Sequence, residues 1–347
     1  MIPFAKPSIS LDAQIQLLQQ RGLTIKDPER AKHYLEVISF FRLSAYMRPF
    51  QKLHDEAHPF NEGSEFKQVV ALYAFDRELR LLVMDAVERI EVATRAMFNN
   101  VMGPKYQQDN APYSGSHWYM NRAHFNRDYD HNRLLKSLSD KQDKERGILA
   151  REVAKINNSR QHSEEKKAEL INLKQRENYC RYYVSHYNEP NLPPCWAVIE
   201  ELTLGELSYL YKGLAKDADR KAIAKRFNAP QDKFASWLHT LTFIRNCCAH
   251  HARLWNRELP IAPKLMRDVE WQLPSVLPNS HIQPAKRLYS VLLLLAHLMK
   301  QVSPDSLWTD KLVQLIVKHP EVPVRNMGFP ENWLEHPFWA LKDGKND

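Results

Sequence analysis

The chain has 347 residues, with 49 Lys and Arg against 41 Asp and Glu, a net charge of +8, 44% hydrophobic residues and 26% charged ones. That length serves two modest domains or one elaborated domain, and the apolar content excludes disorder throughout. Only 9 glycines occur, which leaves little for β-turns or for glycine-rich loops that cradle phosphates, so the expected fold is all-α and no nucleotide cofactor is implied.

The four cysteines, Cys180, Cys195, Cys247 and Cys248, form no CxxC pattern. The start of the chain has no cationic region followed by an apolar stretch, so the set reads as a reduced, cytoplasmic complement. Spacing between Cys247 or Cys248 and His251 offers no second ligand pair for zinc, and no metal is expected. The apolar run around Val291 and Leu295 is too short to cross a bilayer, and no membrane partner follows. The modest positive balance permits a nucleic-acid partner without requiring one.

In chain order, an amphipathic stretch at 11–20 precedes Asp27-Pro28, an N-cap followed by proline at the first helical position, which predicts a helix over 28–39. Together they make an N-terminal helical module, residues 1–60. From 64 to 102 there is neither Gly nor Pro. Leu79, Leu82, Val83, Ala86, Ile90, Ala93 and Met97 recur at helical steps, which predicts a long amphipathic helix, with room for a separate shorter one ahead of it, stopped by Gly103-Pro104. Residues 104–189 turn polar: within 141–181 there are 11 Lys and Arg against 7 Asp and Glu. That fits a solvated helical hairpin or an RNA-facing surface. After the prolines at 190, 193 and 194, helices are expected near 196–214, 217–227, 232–257, 283–302 and 306–318. A Trp- and Pro-rich tail from His319 packs irregularly. Residues 61–103 and 190–302 would form the core, with 303–347 packing on it.

The segment at 237–257, WLHTLTFIRNCCAHHARLWNR, carries the most chemistry. On one continuous helix Leu238, Leu241, Ile244, Cys248, Ala252 and Trp255 share an apolar stripe, while Asn246, His250, Arg253 and Arg257 share another roughly 150° away, with Arg245 between. Guanidiniums fork onto phosphate oxygens and an imidazole exchanges a proton near neutral pH, so this face suits a phosphodiester. It equally suits a helix paired with acidic neighbours such as Glu88 or Glu91, or one that meets water. Glu91 precedes Arg95 by four residues, the spacing of a helix ion pair; the alternative is that Glu88, Glu91 and Arg95 line a cleft.

Arg245-Asn246-Cys247-Cys248-Ala249-His250 resembles the Arg-x(4 to 6)-His signature of the HEPN superfamily. With PPCWAVIEELTLGELSYLYKGL at 193–214 and ISFFRLSAYMRPF at 38–50, the chain is similar to the Abi-like family of bacterial abortive-infection proteins, the AbiD and AbiF type. The resemblance implies a HEPN-type helical core and a homodimer that joins two signatures in one cleft. The implied activity is metal-independent RNA cleavage in phage defence, toxin-like and under the control of an RNA or protein partner. Arg245, Asn246 and His250 match as catalytic residues. His251 is the alternative histidine and joins Arg253 and Arg257 as an RNA contact. On an ideal helix Arg245 and His250 lie about 140° apart, so a single phosphate requires a local distortion or a second subunit. Two readings from other classes stand beside the enzyme: a HEPN protein that binds RNA without cutting it, and a structural helical dimer.

Overall fold

The computed structural model describes residues 7–52, 55–108, 114–273 and 282–339, and among them it has thirteen α-helices and no extended sheet. The only β-type pairings among these residues are three isolated bridges, such as Thr24 with Glu65.

The first three helices are α1 (Leu11–Gln20), α2 (Pro28–Ile38) and α3 (Phe40–Met47), each packed on the next. Their starts are specified locally. Ser10, Asp27 and Ser39 each accept a hydrogen bond from a first-turn amide, satisfying donors that the helix leaves orphaned.

The spine is α4 (Phe66–Lys105), one 40-residue helix rather than two. Glu65 and Gln68 form a capping box at its start, with the Glu65 amide donating to Gln68 Oε1 at 2.8 Å. The Gly103-Pro104 stop lies inside the last turn, and the helix ends one residue later, at Lys105. Around α4 pack α3, α8 (Cys195–Glu201), α10 (Asp217–Lys225), α11 (Gln231–Ala249), α12 (Leu288–Val302) and α13 (Trp308–Lys318). Helix α12 is buried on all sides from Leu288 to Met299, as expected of a helix apolar all round. Its one imidazole, His297, bonds to the Phe227 carbonyl at 3.0 Å, and burial holds it below the usual histidine range.

The predicted helix at 196–214 is two. It breaks at Leu202-Thr203, where Thr203 and Glu206 build a second capping box that starts α9 (Leu204–Gly213). The polar segment contains α5 (His131–Asn157), α6 (Glu164–Gln175) and α7 (Tyr179–His186), which pack on one another. Beyond α13 the tail runs in short turns, and Trp333 and Trp339 are buried.

Candidate functional site

Helix α11 sets the site. It starts after Pro230 and buries Phe234, Trp237, Leu238, Leu241 and Ile244, while Asn246 is exposed and Arg245 half-buried on its far side. Arg245 places Nη1 3.5 Å from Asn246 Oδ1. Its Nε is buried and has no hydrogen-bond partner. That nitrogen is an open donor, a state it shares with Arg95 Nε.

The expected helix over 232–257 is shorter. It ends at Ala249, and His250 is the cap. His251 adopts the left-handed conformation, φ +55°, which lets its amide reach the Cys248 carbonyl at 3.0 Å and the Ala252 amide reach Cys247 at 2.9 Å. These bonds satisfy two of the carbonyls left open at the helix end. Glycine normally takes that position, so a histidine there is strained. The polar stripe predicted through Arg253 and Arg257 therefore does not exist as a helix face. The 140° mismatch between Arg245 and His250 also falls away as a helical argument, because His250 is no longer inside the helix.

A buried ionic pin holds the corner. The Asp76 carboxylate on α4, fully buried, accepts the Leu254 amide through both oxygens at 3.2 Å and the Trp255 amide through Oδ1 at 2.6 Å. Its Oδ2 also accepts the Tyr46 hydroxyl at 2.5 Å and a close ion pair from Arg80. Burial and then the Asp76 charge push the Tyr46 phenol up. Burial acts most strongly on Arg80 and would lower it, but the Asp76 charge together with Tyr46 and Tyr73 outweighs burial and raises the guanidinium. From α3, Arg42 Nη1 donates to the His251 carbonyl at 2.5 Å.

Arg253 and Arg257, two of the expected RNA contacts, have partners within the protein. Arg253 donates through Nη1 to the Ala45 carbonyl at 3.1 Å, and burial holds its guanidinium below the usual range. Arg257 folds back, with Nη1 3.2 Å from the Arg253 carbonyl and its Cζ 5.4 Å from the Phe243 ring centre. Arg245, Asn246, His250 and His251 thus remain within one helix end, with His250 and His251 both exposed.

The residues considered for a cleft divide. Glu88 is exposed on α4. Glu91 pairs with Arg95 at 2.5 Å, and Arg95 Nη2 also donates to the Leu202 carbonyl at 2.7 Å, which ties α4 to the break between α8 and α9. Burial pushes the Cys248 thiol up to about 12 and also raises Cys247, which does not favour a thiolate nucleophile. Among the described residues no group of three or more His, Cys, Asp or Glu side chains is placed to hold a metal ion.

Sequence reasoning missed Asp76, Arg80, Tyr46 and Arg42. A signal existed for the first two: they stand four apart among Leu72, Phe75, Leu79 and Val83, and charges on a core-facing stripe must be paired. Nothing in the sequence around Tyr46 pointed to Asp76, 30 residues on, or around Arg42 to His251, 209 residues on.

The family model described as Abi-like protein matches residues 33–256, from the first turns of α2 through the pinned corner. The chain belongs to the Abi-like protein family. Membership points to abortive infection, the phage-defence role from which the family takes its name. The pinned corner and the motif helix of this Abi-like chain both lie inside the matched span. Neither curated proteins nor solved structures give a match. No helix among the described residues is long and apolar enough to cross a membrane.

Proposed function

We propose that this Abi-like protein is an RNA-cleaving effector of phage defence that acts from the end of α11 by HEPN-type chemistry, without a metal ion. The supporting observation is the exposed imidazole of His250 on the same helix end as Arg245, whose buried Nε has no acceptor. In the reaction the RNA 2′-oxygen bonds to the adjacent phosphorus and the P–O5′ bond breaks. His250 takes the 2′-hydroxyl proton as general base. A second imidazole, in its protonated form, gives a proton to the departing 5′-oxygen. The products are a 2′,3′-cyclic phosphate and a 5′-hydroxyl. Arg245 offsets charge on the phosphoryl oxygens, and Asn246 orients one of them. His251 is the alternative base.

In this reading the second imidazole comes from a second copy of the chain, so that one cleft joins two motifs. Support comes from α3, where Phe41 is 88% exposed and Val37 on α2 is 62% exposed. Phe41 adjoins Arg42, which holds the His251 carbonyl, so apolar surface lies beside the candidate site and suits a twofold contact. Control by an RNA or protein antitoxin belongs to the same reading.

The test is incubation of purified protein with a labelled RNA pool, with and without chelator, followed by analysis of the ends. Cyclic phosphate and 5′-hydroxyl ends that persist in chelator support the reading. Cleavage that vanishes in chelator and returns with magnesium overturns it. A chain that binds RNA and never cuts it favours the non-cleaving alternative.

A further inference from the structure

The polar segment carries more cations than acids, 11 against 7 over 141–181, and the fold separates the signs further. Glu145 and Glu152 of α5 turn inward to Arg181 of α7, with Arg181 Nε 3.0 Å from Glu145 and Nη1 2.8 Å from Glu152; Glu177 joins the same guanidinium. At about 100° per residue, Arg133, Lys144, Arg151 and Lys155 fall within a band of about 40° on α5, and the row runs about 33 Å. All four are exposed, and none forms an ion pair among the described residues. One carboxylate, Asp140, shares the face. Asp143 at its margin pairs with Arg146 at 2.6 Å. A solvated face would gain from interleaved signs; this one exposes cations and directs its glutamates elsewhere.

The row leads into a cavity of about 500 Å³ between α5 and α9, with Tyr129, Arg133, Ser137 and Tyr209 in its wall. Arg133 and Ser137 also line a shallower groove that continues along α5 past Lys136, Lys141 and Lys144. Four rings are stacked toward the cavity. Trp118 stacks with Phe125 at 6.0 Å, Phe125 with Tyr129 at 4.8 Å and Tyr129 with Tyr209 at 4.6 Å. The first three rings are buried, whereas Tyr209, at the end, is 46% exposed. The two acids at the cavity are committed: Asp130 accepts the Arg133 amide at 2.9 Å, and Glu206 accepts the Thr203 amide at 2.7 Å.

We propose that α5 and α9 form a track for single-stranded RNA, in which a base stacks on Tyr209 and the following phosphates run along Arg133, Lys144, Arg151 and Lys155. This deepens the proposed function by naming a binding surface away from the cleavage site, and it rests on that reading for the identity of RNA as the ligand. A basic path beside an aromatic platform is the combination by which unpaired strands are held, because every base has a face to stack and every phosphate a charge. A duplex has its bases stacked internally and offers none to Tyr209.

The experiment measures binding of a fluorescent unstructured 20-nucleotide RNA, and of the same RNA in a duplex, to the full-length chain across a salt series. Tyr209→Ala is expected to weaken single-strand binding about tenfold, whereas Tyr209→Phe, which keeps the ring, stays within about twofold. Lys144→Glu with Arg151→Glu should lower the slope of log affinity against log salt by at least about 1.4, which is two phosphate contacts on a single strand. Tyr209→Phe and the charge reversals alter exposed groups, so a loss seen only in Tyr209→Ala together with a lower melting temperature counts against the track. Equal affinities in all variants, or a duplex preferred over the single strand, overturn it. Cleavage is scored separately with Arg245→Ala and His250→Ala: loss of cut ends in those variants with unchanged track variants rejects the track and leaves the proposed function standing. Track-dependent binding without any cutting rejects the nuclease and keeps the track.

Discussion

Two arginine–carboxylate assemblies in this molecule use the same side chains to different ends. Asp76 and Arg80 are 0% and 6% exposed, and Asp76 gives its oxygens to two backbone amides and a phenol as well as to the guanidinium. Around Arg181 the three carboxylates are 29–49% exposed, and their partners are mostly side chains. The first assembly fixes where the backbone goes after α11. The second gathers acidic side chains onto one side of a surface hairpin. The two guanidiniums are alike, at 6% and 8% exposed, so burial of the carboxylates separates the assemblies: a desolvated carboxylate must be fully paired, whereas pairs with exposed carboxylates are screened and contribute little each.

The sharpest way to break this contrast is Asp76→Ala. Removal of the carboxylate strands a buried guanidinium and two amides, and the expected loss is about 3–5 kcal/mol in urea unfolding. A loss under about 1 kcal/mol would mean that the corner is held by packing alone. Arg245→Ala and His250→Ala should each lower the cleavage rate by about 10²–10⁴-fold. Melting temperatures close to wild type are expected for both, since neither group is in the core. A large melting shift in His250→Ala would assign that side chain a structural task. If His251→Ala is the inactive variant and His250→Ala is active, the base is His251.

Smaller effects belong to the surface assembly. Arg181→Ala should cost about 1–2 kcal/mol at low salt and less at high salt, which thermal melts at two ionic strengths would show. Arg181 holds the Glu145 carboxyl below its usual range, chiefly through their hydrogen bond. A depressed carboxylate stabilises the fold at pH above its unfolded value, and the contribution is lost as pH falls through the folded one. Wild type should thus lose stability on acidification below about pH 4 by more than Arg181→Ala does, as paired acid titrations would record. His251→Gly should be neutral or stabilising by up to about 1 kcal/mol, because glycine adopts a positive φ without strain. Destabilisation would show that the imidazole itself anchors the turn.

Much of the architecture was legible because its signals are local. Asp27 is a cap read directly from residue type, and the steps from Leu79 to Met97 give the face of α4. The end of α11 was not legible. No Gly or Pro marks it, and Leu254 and Trp255 continue the apolar period, so the pattern of a buried loop looks the same as that of a buried helix. The stop comes from Asp76 and Arg42, which lie far away in sequence and compete for the backbone only once the chain has folded. The break at Thr203 had a local signal in Thr203 and Glu206, hidden by apolar residues on both sides. Arg245, Asn246 and His250 were grouped through the motif, and all three lie at the end of α11. Arg253 and Arg257 were added by extending a helix that ends too early for them.

The hydrogen bonds from Leu254 and Trp255 to Asp76 join positions 178 and 179 residues apart. During synthesis, therefore, α4 leaves the ribosome with its carboxylate and arginine waiting, and the motif has no fixed corner until the chain beyond residue 255 has also emerged. Contacts of such sequence separation form late, because the long intervening loop must first be closed. For a protein whose proposed activity is harmful to the cell that makes it, assembly order becomes a safeguard: an unfinished or prematurely terminated chain carries the motif residues without the geometry to use them.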